Sequence, residues 1–402
     1  MKHIVILDTG REWGGGTNSL LELVRRLDRQ LFRCTAIFYH NYPLGDKSDI
    51  KTELERCGVA FEHLPQWKLT AGVKLTKELA RAAAFFSSGL RKRLLFFFDR
   101  RFRIMPAAGR IADIVGRLRP DLIYLNNQPS SNLEGILAAG MTGVPAVQHC
   151  RKVVSLNRDE VATANRTLSR IICVSPGVRD DYTAQGIDAH KCCVVCNGID
   201  VDATPGKTVS EVRTQWGIGM QDLLIGYAGS LIPLKRVEDF ISAAGIVAKM
   251  CKVPVAFMVV GTGPEEGRLK ILAGQKNIEH LFHFVGFQND ALSCINAMDI
   301  FVLTSEREGM PRVIMEAMLM GKPVVASDVT GPKDLVVPAK TGMLVPCAAP
   351  ERFADALLRL ADDGDLRVRM GTAGKDRILR NFSIDRYVSG IEKVFSEVLS
   401  CS

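Results

Sequence analysis

The sequence predicts two doubly wound α/β domains, each a mainly parallel sheet covered by helices on both faces. Three observations carry this. The chain has 402 residues, beyond the ~250–300 at which a single hydrophobic core usually stops growing. Short β-branched runs alternate with helical periods in both halves, the pattern of strand–helix–strand units. Apolar residues make up 47% and charged residues 24%, which fits a globular chain and excludes a disordered, collagenous or small disulfide-bonded one.

In the first half, residues 3–8 (HIVILD) read as a strand, 14–30 as a glycine loop feeding a helix, and 32–39 as a second strand. Strands follow at 121–126, 144–149 and 171–175, with helices near 131–141 and 157–169. Residues 197–208 (NGIDVDATPGKT) are polar and contain Gly and Pro, which marks a linker. The rhythm then resumes: strands at 223–230, 254–261, 280–286, 299–305 and 322–328 alternate with helices near 236–249, 265–275, 289–297 and 311–320. Helices at 350–361, 364–379 and 382–398 close the chain. The domains expected are 1–197 and 211–380, joined by a hinge at 198–210, with 381–402 as a terminal helix. In such sheets ligands bind beyond the carboxyl ends of the strands, so facing domains share one interdomain cleft.

Charge is uneven. The chain carries 52 basic and 44 acidic residues, a formal +8, and residues 1–200 hold 29 of the basic and 20 of the acidic ones. An anionic partner therefore belongs to the first half. Zinc-finger spacing, an RNP-type strand and a basic zipper are all missing from the sequence, so no nucleic-acid partner is expected. The eleven cysteines are scattered, and the one CxxC, Cys193 to Cys196, lacks a second pair, so no metal site is assigned. No stretch offers the ~18–20 apolar residues that span a bilayer, and the first residues read as a buried strand instead of a signal peptide. A cytoplasmic protein is expected.

Residues 85–103 break the rhythm. They hold six of the eighteen phenylalanines, Phe96, Phe97 and Phe98 among them, with Arg91, Lys92, Arg93, Arg100, Arg101 and Arg103 against only Asp99. An interfacial segment that inserts aromatics while its cations meet anionic headgroups explains both features. A packing helix or lid with its arginines on the wet side is the alternative.

The residues suited to chemistry lie at strand ends. Gly14, Gly15 and Gly16 precede a helix start, where backbone approaches a ligand or simply turns tightly. Ser230 and Lys235 follow the first strand of the second half, and a lysine there can neutralise a diphosphate. Gly263 lies in the turn after the next strand, and Gly286–Phe287 form another. The strongest constellation is SEREGMPRVIMEAMLMG (305–321): Glu308 in a loop, Gly309 and Met310 with free-standing backbone, Pro311 suited to a first helical turn, and Glu316 on the helix. Two carboxylates so spaced accept from hydroxyl pairs on different parts of one extended, polyhydroxylated ligand. His149 ends a strand, followed by Arg151 and Lys152.

These residues resemble those of the family 4 glycosyltransferases, retaining enzymes of the GT-B fold. The resemblance spans essentially the whole chain, and its specific part is the E-x7-E spacing of Glu308 and Glu316 within EGMPRVIMEAMLMGKPVVASD. It implies that Glu308 and the backbone of Gly309, Met310 and Pro311 surround the donor sugar, with Glu316 on the nucleotide ribose. Lys235 would hold the diphosphate, Phe287 border the base, Gly15 and Gly16 approach the donor phosphate, and His149 face the sugar. Arg151 and Lys152 would contact an acceptor phosphate, and the terminal helix would pack back on the first domain. Two departures stand out: Ser230 occupies a position where many members carry Arg, and TGPKDLVV offers Asp334 where a Glu is usual.

The reaction implied is metal-independent, cofactor-free transfer of a sugar from a UDP- or GDP-sugar to a hydroxyl, with retention. The acceptor expected is a lipid-linked sugar on the route to a bacterial surface polysaccharide or lipopolysaccharide, met at the anionic inner face of the cell membrane. The alternatives are a GT-B-like epimerase or phosphorylase and an inactive nucleotide-sugar-binding scaffold.

Overall fold

The computed structural model describes residues 1–10, 13–44, 48–83 and 87–401. Phe85 and Phe86 of the aromatic segment lie outside the described residues. The chain divides into two compact units. The first comprises Met1–Val174, Arg179–Val195 and the chain from Val388 onward; the second comprises Ser175–Val178 and Cys196–Tyr387.

In the first unit the strands are β1 (Lys2–Asp8), β2 (Phe32–Phe38), β3 (Pro43–Leu44), β4 (Ser48–Asp49), β5 (Ala60–His63), β6 (Leu122–Asn126), β7 (Ala146–Cys150), β8 (Arg170–Cys173) and β9 (Cys192–Val194). Seven of them form one sheet in the order β5-β2-β1-β6-β7-β8-β9, while β3 and β4 pair separately. Every ladder of the large sheet is parallel. Parallel strands are buried on both faces, and Ile4, Val5, Ile6 and Leu122 to Leu125 are accordingly buried. Because β1 pairs with β2 on one side and β6 on the other, the strand order reverses at β1/β6, and a crevice opens at their carboxyl ends.

The last helix, Ile384–Ser400, sends Phe395 into this unit's core. Its ring meets Phe32 at 5.9 Å and Tyr124 at 5.3 Å between centroids, both edge to face. Burying such a ring removes a large apolar area from water, and edge-to-face pairs add ~0.5–1.5 kcal/mol each.

The aromatic–basic segment is one part of a longer helical run, Ser88–Asp99, Arg100–Ile104 and Met105–Leu118. The middle piece is a π-helical turn, in which the Met105 amide bonds the Arg100 carbonyl. Pro106 follows directly; having no N–H and crowding the carbonyl four residues back, it disfavours the ordinary helical bond there, and the wider turn absorbs the conflict.

The second unit holds β10 (Leu223–Ala228), β11 (Val255–Val260), β12 (Phe282–Gly286), β13 (Ile300–Leu303), β14 (Val324–Ser327) and β15 (Gly342–Val345). They form one parallel sheet, β12-β11-β10-β13-β14-β15, whose order reverses at β10/β13. Residues 198–210 are held to this unit. Ile199 bridges Ser383, the Gly206 amide donates to Asp290 Oδ2 at 3.0 Å, and the Lys207 amide to Ser293 Oγ at 2.9 Å. Helix Val209–Gln215 then starts from a reciprocal cap between Thr208 and Glu211, a signal visible in the sequence as TVSE.

Candidate active site

In the second unit the loops after β10 and β13 meet at the point where strand order reverses. The chain leaves β10 through Gly229 and Ser230, turns at Pro233–Lys235, and enters helix Val237–Met250 with Arg236 in a left-handed conformation. The loop after β13 is stitched to it: Thr304 Oγ1 donates to the Lys235 carbonyl at 3.0 Å, and the Glu306 amide to the Leu234 carbonyl at 2.9 Å. These bonds bring Lys235 Nζ to 2.5 Å from Glu308 Oε1. Both side chains are mostly buried, with 21% and 11% of their surfaces exposed. Ser305 and Ser327 end the same side of the sheet with buried hydroxyls that have no partner among the described residues.

Glu308 also acts on Tyr227. Burial, and then the nearby Glu308 charge, push the phenol well above its ordinary range. The Tyr227 hydroxyl donates to the Ser230 carbonyl at 3.0 Å, while the Ser230 side chain is exposed past the strand end. Gly309 and Met310 are buried, and the Met310 carbonyl accepts from Asn197 Nδ2 at 3.0 Å. Pro311 has no N–H to offer a ligand; it stands just before helix Arg312–Leu319, at φ −71°. Glu316 lies on that helix, 3.9 Å from Arg312 Nε. Burial raises its carboxyl above the usual range, and Arg312 opposes the shift.

Gly263 has a structural reason to be glycine. A Cβ there would meet the Leu231 carbonyl oxygen at 2.3 Å, because the loops after β10 and β11 run in contact. Phe287 is 54% exposed just beyond β12. Sequence reasoning gave no role to Asn197, Tyr227 or Thr304. The NG of CNGID and the hydroxyl ending β13 were its only cues.

In the first unit a second polar cluster occupies the β1/β6 crevice. Asp8, at the end of β1, accepts from the Gly10 amide at 2.6 Å, Asn126 Nδ2 at 2.5 Å and Asn127 Nδ2 at 2.9 Å. Burial raises its pKa, and these bonds pull the other way. Arg151 donates from Nε and Nη2 to Asn126 Oδ1 at 2.9 and 2.7 Å. His149 is buried, with Nδ1 2.5 Å from the Tyr124 hydroxyl; burial first, and Arg151 second, hold its pKa well below the ordinary value. Gly15 is exposed at the start of helix Gly15–Arg26, and a Cβ on Gly16 would reach Arg151 Cγ at 3.9 Å. Lys152 is exposed, its carbonyl accepting from the Tyr182 hydroxyl at 2.9 Å. Asp8, Tyr124 and Asn126 escaped the sequence reading because nothing local distinguishes them from ordinary strand residues.

The basic segment separates into two groups. Arg103 turns inward, donating to the buried Glu134 at 2.8 Å, and Arg100 lies 3.9 Å from Asp159. Arg91, Phe96 and Phe98 are half-buried, whereas Lys92, Arg93, Phe97 and Arg101 are exposed. A helix that the sequence reading missed, Ala71–Ala83, lies against this run through Lys77 and Asp99, 2.6 Å apart, and exposes Leu75 and Leu79. Among the described residues no helix is long and apolar enough to cross a membrane.

Comparison with known proteins agrees with this architecture. Residues 13–203 match the family described as Glycosyltransferase Family 4, and residues 209–377 match Glycosyl transferases group 1. The chain is 27% identical over 296 residues to the UDP-Gal:alpha-D-GlcNAc-diphosphoundecaprenol alpha-1,3-galactosyltransferase of Escherichia coli, covering 69% of this chain and 76% of that one. It is 28% identical over 276 residues to a GDP-mannose-dependent alpha-mannosyltransferase of Mycobacterium tuberculosis, covering 65% and 68%. The crystal structure of Anabaena Alr3699/HepE in complex with UDP and glucose superposes with a TM-score of 0.78 at 22% identity, over 99% of this chain and 100% of that one.

Two parallel sheets of this order define the GT-B fold. The chain belongs to glycosyltransferase family 4.

Proposed function

We propose that the protein transfers a sugar from a nucleotide diphosphate sugar to a hydroxyl acceptor, with retention at the anomeric carbon and without a metal ion. The observation that carries this is the Lys235–Glu308 pair at the strand-order reversal of the second unit. A lysine there stabilises the charge that grows on a departing diphosphate. The carboxylate beside it, with the Gly309 and Met310 backbone, accepts and donates hydrogen bonds to sugar hydroxyls. Glu316 accepts from the ribose, Phe287 borders the base, and Ser230 and Gly263 line the diphosphate side. His149 contacts the sugar, and Gly15 and Gly16 approach the donor phosphate. The leaving phosphate takes the acceptor proton on the same face of the sugar, so no protein nucleophile is required.

The acceptor is a lipid-linked saccharide of a surface polysaccharide or lipopolysaccharide route, with Arg151 and Lys152 on its phosphate. The name of the Escherichia coli relative, whose acceptor is a diphosphoundecaprenol-linked sugar, supports this class. So do the exposed Leu75, Leu79 and Phe97 and the exposed Lys92, Arg93 and Arg101 of this helical region, which suit shallow insertion at an anionic bilayer. This would hold the enzyme peripherally at the inner face of the membrane.

The test is a panel of UDP- and GDP-sugars against lipid-linked and free saccharide acceptors, in buffer with EDTA, with the product's anomeric configuration read by proton NMR. The expected result is a retained configuration and unchanged rate in EDTA. An inverted product overturns the mechanism, and sugar phosphate formed with orthophosphate would identify a phosphorylase.

A further inference from the structure

Helix Arg312–Leu319 carries its two charged residues against its own dipole. Arg312 is its first residue and Glu316 stands in its second half, whereas a helix favours anions near its start and cations near its end. For a pair four residues apart the acid is better placed first, and here the base comes first. Helix stability therefore does not account for the pair.

The guanidinium is fixed from outside the helix. Arg312 Nη1 donates to the Gly198 carbonyl at 2.8 Å. Gly198 is itself tightly held: a Cβ on it would collide with the Ser383 carbonyl oxygen, and Ile199 donates to the Phe382 carbonyl at 3.0 Å and accepts from the Ile384 amide at 2.8 Å. With that edge anchored, Arg312 Nε is buried without a hydrogen-bond partner among the described residues, and Glu316 Oε1 lies 3.9 Å from it. The gap is too long for a hydrogen bond, yet well within the range at which an opposite charge favours an ionised carboxyl.

Among the described residues no other charge acts on Glu316. Strands β13 and β14 and helix Ala291–Ala297, which pack against its helix, carry no charged residue. On helix Pro332–Leu335, Lys333 lies 3.3 Å from Asp328, and Asp334 accepts from the Gly331 amide at 3.3 Å. Helix Gly364–Asn381 meets it through Gly374 beside Met318, two residues and about 200° round from Glu316, and its Arg377 donates to the Asp334 and Leu335 carbonyls.

Resting on the assignment of Glu316 to the nucleotide ribose, we propose that Arg312 is a positioning residue that presents Glu316 to the ribose hydroxyls as a carboxylate. An ionised carboxyl is acceptor-only at both oxygens, and its bonds from hydroxyls are stronger than those of the neutral acid. Burial works the other way, favouring the protonated form, and Arg312 opposes it. Without the guanidinium the carboxyl would hold its proton to a higher pH, so as pH falls the ribose would lose its acceptor sooner.

Calorimetric affinity for the tighter of UDP and GDP, measured from pH 8.5 to pH 5.5, tests this. Titration of the nucleotide's own phosphates is common to all variants and cancels in the ratio of wild-type to variant affinity. For Arg312→Gln that ratio should grow on the order of 10-fold as pH falls, the least that an opposite charge at this distance is worth to a carboxyl. Arg312→Met should behave alike and decides the matter should Arg312→Gln not fold. Arg312→Lys, which restores the charge, should show a nearly constant ratio. A constant ratio in the folded charge-free variants overturns the proposal, because the loss of a merely structural bond to Gly198 weakens binding equally at every pH. Glu316→Gln separates this from failure of the ribose assignment. If it binds nucleotide as the wild type does, that assignment falls and the proposal with it; if it binds weakly while the ratio stays constant, the proposal alone falls.

Discussion

Lys235 Nζ lies 2.5 Å from Glu308 Oε1, joining residues 73 positions apart at the carboxyl ends of β10 and β13. The pair is mostly buried, so each group holds the other's charge in a place where neither is well hydrated. On the proposed assignment, a diphosphate bound by Lys235 would draw it partly away from Glu308 and free the carboxylate for sugar hydroxyls, which would link recognition of the two halves of the donor.

Lys235→Ala and Glu308→Gln should each reduce transfer by ~100-fold or more, the scale on which one buried electrostatic group acts on a transition state. Because the two side chains work as a pair, the double variant should be little worse than the poorer single one. Lys235→Ala should also melt below the double variant, since it strands Glu308 without a cation. Initial rates at subsaturating donor and thermal shifts check both. Near-wild-type turnover in either single variant would remove the pair from the site.

The Glu316 carboxyl makes stability depend on pH. Its carboxyl is raised by burial, so the folded state holds the proton at a higher pH than the unfolded chain does. The ionised group therefore costs stability at neutral pH, and that cost vanishes as pH falls below the ordinary 4.5. Glu316→Gln should melt ~2–4 °C higher at pH 7.5, the shift that about 1 kcal/mol gives in a unit of this size, with the gain closing towards acid. Affinity for the free nucleotide should drop by about 10-fold, the value of a hydrogen bond to a charged acceptor. Calorimetry showing unchanged nucleotide affinity would take Glu316 off the ribose.

The exposed apolar group makes a sharp distinction among the aromatics. Leu75, Leu79 and Phe97 are 64%, 62% and 61% exposed, whereas Phe98 stacks on Phe102 at 6.0 Å between centroids. Changing Leu75, Leu79 and Phe97 to Ser should abolish flotation with anionic liposomes and leave the melting temperature nearly unchanged. Wild-type flotation should fall as salt rises, because exposed charge attraction is screened. Equal flotation of the variant would exclude insertion through this surface.

Phe395→Ala should destabilise the first unit by ~3–5 kcal/mol, the usual cost of deleting a buried aromatic ring. Hydrogen exchange should then quicken in β1, β2 and β6, with the second unit unaffected. Protection lost equally in both units would show that the ring's contribution is not confined to the core that it enters.

The sequence by itself determined the alternation of strands and helices, because burial of a parallel sheet writes continuous apolar runs into strands and a 3.6-residue period into helices. It also marked the loops proposed to carry the chemistry: Glu308 and Glu316 share one local motif, and Lys235 follows a strand end. It passed over β5, β9, β15 and helix Ala71–Ala83, elements too short for a period to show or, in the helix, with an apolar stripe that turns outward. What only the tertiary structure decided is which distant groups meet. Arg103 looks like its basic neighbours in the chain, yet it pairs with Glu134, 31 residues on, while Lys92 and Arg101 face water. Asp8, Asn126, Arg151, Tyr124 and His149 become one chain of hydrogen bonds because β1, β6 and β7 end side by side. Strand order is fixed by packing over the whole unit and leaves no local mark in sequence, so neither contact could be read from the residues near it.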